Sequence, residues 1–328
     1  MNWGLVDFNL VLLPAARNVL AGVDPYTTDV GSFPPWPPWV LYPVFFLAPL
    51  PDLMATLLWL LMILGATLAS LHVTSRILAT PIKREQLPLL SLLMLTPYSL
   101  QTLFAGQFSP FVMLGMVSVF AWDNPFVSLL LLSLKPQLGA LPALILIGRL
   151  IRRGEWPRLL GSMALVGAII GASFLIVPNS FSHFSAGILA GRSLDHHPEW
   201  ITTVPRALAQ IGLNKAYIWP LYLVVAIAIV GLLVVRRDLP MVVTCSLLIA
   251  PYAREYDYVL LTIPALYLLQ RRIARPIVWL SLLWPLHRFF VGDLSWSWLS
   301  IFVPVIFLVF LIYEKKRRTT SSSGLTNP

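Results

Sequence analysis

Beyond its first fifty or so residues, the chain is a succession of apolar runs separated by short polar or proline-containing breaks. The runs fall near 53 to 75, 87 to 103, 108 to 122, 125 to 149, 158 to 178, 217 to 235, 239 to 252, 257 to 270, 276 to 291 and 296 to 313. Most approach the roughly 20 residues that cross a bilayer as a helix. The run 125 to 149 is long and carries Lys135-Pro136 at its middle. Proline cannot continue the hydrogen-bond ladder, so this run reads as two short helices meeting at that dipeptide. The pattern predicts an all-α polytopic membrane protein with about eleven transmembrane helices.

The opening segment obeys a different rule. Asp7, Gly22, Asp24-Pro25-Tyr26 and Phe33-Pro34-Pro35-Trp36-Pro37-Pro38-Trp39 combine polar groups with prolines that remove backbone donors. Such a stretch can neither form a long helix nor lie unpaired in hydrocarbon. Residues 1–52 therefore read as an outer juxtamembrane segment. Trp39 to Pro49 is apolar but too short to cross, and fits a juxtamembrane or re-entrant helix. Within the segment, Leu10, Leu13, Ala16, Arg17 and Leu20 form an amphipathic run with Gly22 placed as its C-cap.

Composition agrees. The 328 residues are 58% apolar and 11% charged, with a mean hydropathy of +0.79. A soluble domain needs far more polar surface. The formal charge of +9 is distributed by topology. Arg76, Lys83 and Arg84; Arg149, Arg152, Arg153 and Arg158; Arg236 and Arg237; Arg271, Arg272 and Arg275; and Lys315, Lys316, Arg317 and Arg318 occupy alternate connections. The intervening ones hold most acids, among them Asp7, Asp24, Asp52, Asp195, Glu255, Asp257 and Asp293. Short cytoplasmic loops carry excess Lys and Arg, so the N-terminal segment is expected outside and the C-terminus inside a plasma membrane. The positive charge then meets anionic lipid and requires no nucleic acid. Residues 1–318 form one membrane domain in this reading, and the polar tail 319–328 a disordered cytoplasmic end. Cys245, alone in an apolar run, reads as a core residue.

Candidate chemistry gathers on the outer connections. Asp7 suits a general base toward a hydroxyl, or an ordinary capping or solvated carboxylate. Lys135, flanked by apolar residues, suits an anion such as a lipid phosphate, or snorkels from a helix end. Arg254, Glu255 and Asp257 lie beside Tyr252, Tyr256 and Tyr258 and read either as phosphate-facing groups or as an ion pair fixing helices. His183 and Arg206 are candidates for contact with an acceptor or phosphate, or are solvated loop residues. His196 and His197 are adjacent, a spacing that rarely places two ligands on one ion, so no metal is expected. No phosphate-binding glycine loop, zinc-protease motif or nucleophile elbow is present.

Taken in order, these residues resemble the GT-C class of integral-membrane glycosyltransferases, especially the polyprenol-phosphate-mannose-dependent glycosyltransferase family 87. Asp7, followed by a short helix and Gly22-Val23-Asp24-Pro25-Tyr26, matches a family pattern. Trp36-Pro37-Pro38 through Tyr42-Pro43 resembles its aromatic and proline segment, Gly106-Gln107 its Gly-Gln, and Lys135-Pro136 its Lys-Pro. Pro251 with Tyr256-Asp257 resembles a late Pro and Tyr-Asp pair. The resemblance implies a helical bundle that moves a hexose, mannose by the family's habit, from a polyprenyl-phosphate donor to an acceptor hydroxyl at the extracytoplasmic face. The acceptor would be a glycan, glycolipid or protein, and no cofactor is implied.

By carry-over, Asp7 is the catalytic base of a direct, inverting displacement. Lys135 and Arg254 are the donor-phosphate cations. Asp24, Tyr26, Trp36, Tyr42, Gln107, His183, Arg206 and Asp257 are the candidate acceptor or sugar contacts. Family members carry a transmembrane helix before the Asp, whereas only Met1-Asn2-Trp3-Gly4-Leu5-Val6 precede it here; the expectation is that this first helix is missing. A lipid or small-molecule transporter and an inactive scaffold are the competing readings of the same helices.

Overall fold

A computed structural model describes residues 5–27, 36–78, 87–189, 201–286 and 294–323. The regular structure of the described residues is all helical, without strands; the one bridge among them pairs Ile201 with Arg254. A π-turn, Phe8–Leu12, runs into α1, Leu13–Leu20. A 3-10 turn, Pro38–Leu41, runs into α2, Tyr42–Phe45. There follow α3 Asp52–Ile77, α4 Leu87–Met94, α5 Pro97–Ala105, α6 Ser109–Ala121, α7 Pro125–Ser133, α8 Pro136–Arg152, α9 Trp156–Ile176 and α10 Ser180–Leu189. The remainder is α11 Val204–Gln210, α12 Lys215–Val235, α13 Leu239–Ile249, a 3-10 turn Glu255–Leu261, α14 Thr262–Leu268, α15 Arg275–Leu283 and α16 Phe302–Ser323.

Helix limits follow local chemistry. Asn124, Asn214 and Asp238 each cap the helix that follows them by accepting a backbone N–H. Proline opens α5, α7, α8 and α9 at their first or second position, where its missing N–H costs no helical bond. Gly22, at φ 73°, closes α1 in the left-handed conformation expected of a C-cap.

Among the described residues three helices, α3, α9 and α12, are long and apolar enough to cross a membrane. Only 22% of the apolar window of α9 and 17% of that of α12 is buried within the protein, so most of their side chains need an apolar solvent. This is a membrane protein. The expected run 87 to 103 is not one straight span: α4 and α5 meet at a 55° bend. Pro97 lacks the N–H that would continue α4, and Thr96 Oγ1 donates to the Leu93 carbonyl at 2.9 Å. The run 125 to 149 breaks where anticipated, with α7 ending at Ser133 and α8 starting at Pro136. The run 257 to 270 divides into the 3-10 turn and α14. Among the described residues, the apolar helical stretches Ser109–Ala121, Leu239–Ile249 and Trp298–Glu314 are shorter than a span. Helix α16 runs from Phe302 to Ser323.

The chain divides into two compact units, Met1–Val73 with Ser99–Pro198, and Thr74–Tyr98 with Glu199–Pro328. In the first, α6, α7, α8 and α9 pack on one another and the 3-10 turn Pro38–Leu41 lies on α9. In the second, α13 is the centre. All residues from Leu239 to Leu248 are buried, Cys245 among them, and α12, α14 and α16 pack around it.

Candidate active site

Asp7 is placed by contacts that reach across the first unit. The Phe8 ring stacks on Trp59 of α3 at 5.0 Å, and Trp59 Nε1 donates to the Gly106 carbonyl at 2.9 Å. Thr56 Oγ1 donates to Asn9 Oδ1 at 2.8 Å. In the last turn of α1, the Arg17 guanidinium donates to the Ala48 and Leu50 carbonyls and pairs with Asp52 at 2.6 Å. The short helix is thus held at both ends against α3.

The Asp7 side chain does not cap its own helix. Its Oδ2 accepts from Gln107 Nε2, and Gln107 is 1% exposed. Gly106 makes this approach possible. Its φ is 70°, and a Cβ there would stand 2.8 Å from Phe8 Cβ and 3.1 Å from Leu5 Cβ. Two residues beyond Gln107, Ser109 opens α6, and Lys135 Nζ donates to Ser109 Oγ at 3.0 Å. A carboxylate and an ammonium are therefore both fastened to one short segment, Gln107-Phe108-Ser109. Lys135 stands at the break between α7 and α8, where a Cβ on Gly139 would meet the Leu132 carbonyl oxygen at 2.3 Å. Only glycine lets the two helices fold back this closely.

A cavity of about 780 Å³ lies in the same unit, lined by Trp39, Tyr42, Met62, Phe111, Leu134 and Ile169 among others. Its wall is apolar except for the tips of its aromatics. Trp39 Nε1 donates to the Ser133 carbonyl at 2.9 Å and Tyr42 Oη to the Ile169 carbonyl at 3.0 Å. Leu134 lines the cavity and Lys135 follows it, so an apolar chamber and a cation adjoin along the backbone.

Asp24, Tyr26 and His183 form a second cluster. Asp24 Oδ1 accepts from the Tyr26 backbone N–H, and Oδ2 accepts from Asn179 Nδ2, both at 2.9 Å. His183 Nε2 lies 3.3 Å from the same Oδ2, and the Tyr26 ring stacks on His183 at 5.1 Å. Tyr26 Oη donates to the Trp36 carbonyl at 3.2 Å. Burial, with the Asp24 charge, pushes the Tyr26 hydroxyl well above the usual phenol range, so it remains a neutral donor. Asn179, at φ 53°, was not singled out by sequence, because nothing local marks a residue whose partner is 155 positions away.

The remaining candidates belong to the second unit. Arg254 lies over the rings of Tyr252 and Tyr256 at 5.7 and 6.0 Å. Asp257, 1% exposed, accepts the Arg254 backbone N–H at 3.0 Å and so caps the turn Glu255–Leu261. Glu255 accepts from Ser300 Oγ at 2.6 Å. Arg206 faces the Gln210 amide one helical turn on. Among the described residues no three His, Cys, Asp or Glu side chains converge as a metal site; His196 and His197 lie outside them.

Comparison with known proteins adds the class of chemistry. No curated protein and no solved structure matches the chain. A family model, glycosyltransferase family 87, matches residues 35–253. That span takes in Trp36, Tyr42, Gln107, Lys135, His183 and Arg206, while Asp7, Asp24, Tyr26, Arg254 and Asp257 flank it. With two thirds of its length covered by the family model, the chain is a member of glycosyltransferase family 87.

Proposed function

We propose that this glycosyltransferase moves a hexose, mannose, from a polyprenyl-phosphate donor to an acceptor hydroxyl at the extracytoplasmic membrane face, with Asp7 as general base. The observation that carries the reading is the attachment of Asp7 and Lys135 to opposite ends of Gln107-Phe108-Ser109. The Asp7 carboxylate takes the acceptor proton as the acceptor oxygen bonds to the sugar C1. The C1 to phosphate-oxygen bond breaks on the opposite side, which inverts the anomeric centre. The electron pair leaves on the phosphate, whose charge the Lys135 ammonium offsets.

Gln107 donates to one carboxylate oxygen and so orients the base. A departing phosphate is already a weakly basic anion, and the site needs no strong general acid. The chamber lined by Trp39, Tyr42 and Leu134 suits the first isoprenoid units of the donor, with the phosphate toward Lys135. The clustered cations on alternate connections support the outward orientation of this site. Family membership favours transfer over transport.

The test is turnover with polyprenyl-phosphate-mannose in reconstituted membranes. Asp7→Asn is expected to lower kcat by about 10²- to 10⁴-fold, with KM for the donor little changed. Undiminished kcat in that variant sinks the base assignment. Transfer from a nucleotide sugar in place of the lipid-linked one sinks the donor assignment.

A further inference from the structure

The corner between α8 and α9 carries a cluster of charge that the sugar-transfer site does not use. Gly154, at φ 69°, closes α8 in the left-handed conformation and turns the chain into α9, which begins at Trp156. The tight turn brings Arg149, Arg152, Arg153 and Arg158 together. Two carboxylates, Asp123 and Glu155, pair with two of these four cations. Arg158 takes most of both, at 3.0 Å from Asp123 Oδ1 and 2.5 Å from Glu155 Oε2. Arg153 reaches Glu155 only at 3.7 Å.

Arg152 is occupied otherwise, since its Nε donates to the Gly148 carbonyl at 3.0 Å and complements the C-terminal end of α8. Arg149 differs from it. Its Nε is buried and finds no hydrogen-bond partner among the described residues. Four guanidinium groups against two carboxylates leave an excess of positive charge, which calls for an anion.

The surroundings select the kind of anion. Trp156, Leu160 and Met163 are 50%, 59% and 49% exposed, and their spacing places them on one face of α9. That apolar stripe starts at the arginine cluster and runs along a helix long enough to span a membrane. A ligand fitting both parts has a phosphate head and hydrocarbon tails. Trp156 stands where an interfacial anchor belongs, at the junction of the two.

We infer that the α8–α9 corner binds an anionic phospholipid, its phosphate on Arg149 and Arg153 and its acyl chains along Trp156, Leu160 and Met163. The site is separate from the chemistry at Asp7 and stands whether or not that assignment holds.

Delipidated protein in detergent, titrated with phosphatidylglycerol, phosphatidylcholine or inorganic phosphate and read by native mass spectrometry and thermal unfolding, tests it. Phosphatidylglycerol is expected to remain bound and to raise the unfolding temperature, with phosphatidylcholine and phosphate giving little. The double variant Arg149→Gln, Arg153→Gln is expected to weaken phosphatidylglycerol binding roughly twentyfold. Should it fail to fold, Arg153→Gln alone, at a half-exposed position, is expected to weaken binding about fivefold. Equal retention of phosphatidylglycerol by variant and native protein overturns the site. Protection by inorganic phosphate as strong as that by phosphatidylglycerol also overturns it, because the corner would then be a free-anion site.

Discussion

Substituting Gly106 by alanine probes the placement of Asp7 without touching any charged group. Two costs combine. A left-handed φ of 70° costs an L-residue about 1–2 kcal/mol. The new methyl would also stand 2.8 Å from Phe8 Cβ and 3.1 Å from Leu5 Cβ. Neither neighbour is the far end of a flexible side chain, so the backbone beside Asp7 must move, at a typical overpacking cost of about 1–3 kcal/mol. Stiffening of the unfolded chain returns about 0.4–1 kcal/mol. The net expectation is a loss of about 2–4 kcal/mol.

Gly22 supplies the control. Its φ is 73°, but among the described residues no atom beyond its chain neighbours lies within 4 Å of a Cβ there, so Gly22→Ala carries the conformational cost alone. Thermal unfolding in nanodiscs and steady-state transfer should be measured for both variants. Gly106→Ala is expected to unfold at a clearly lower temperature than Gly22→Ala and to lose about 10- to 100-fold in kcat, as the carboxylate shifts from Gln107. Equal stability and equal turnover in the two variants would refute the claim that close packing at Gly106 positions the base.

Lys135→Gln, which removes the cation but keeps a donor for Ser109, is expected to lower kcat by about 10²-fold or more, measured with the lipid-linked donor. Trp39→Phe deletes the bond to the Ser133 carbonyl at the chamber wall and should cost about 1 kcal/mol in thermal unfolding, with a raised KM for long-chain donors. Asp123→Asn tests the α8–α9 corner through pH. The Arg158 hydrogen bond holds the Asp123 carboxyl below the usual carboxylate range, so its contribution is present above the ordinary value and is lost as pH falls through the depressed one. The variant's unfolding midpoint should therefore converge with that of the native protein at the acid end. A gap that widens on acidification would reverse the assigned sign.

Much of the molecule was legible from local pattern. Apolar runs near the thickness of a bilayer predicted membrane helices, and α3, α9 and α12 have that length. The break at Lys135-Pro136 and the cap at Gly22 were also readable, because a missing N–H and a left-handed turn are properties of single residues. Thr96-Pro97-Tyr98 was legible as a break by the same rule, but the bend of 55° it makes inside the run 87 to 103 was not, because hydropathy carries no directional information. Motif order led to the family and picked out Asp24 and Tyr26, and residue type picked out His183, without disclosing that they touch.

Those contacts are decided by tertiary structure. Asp7 is separated from Gln107 by a hundred residues and Asp24 from Asn179 by 155. A carboxylate's chemistry depends on what the fold places within about 3 Å of it. Composition and periodicity act through the solvent and the nearest turn of helix, so they determined that this chain lives in a membrane as short and long helices. Which polar groups meet was set by the close backbone approaches at Gly106 and Gly139, where a side chain as small as a methyl group would keep the partners apart.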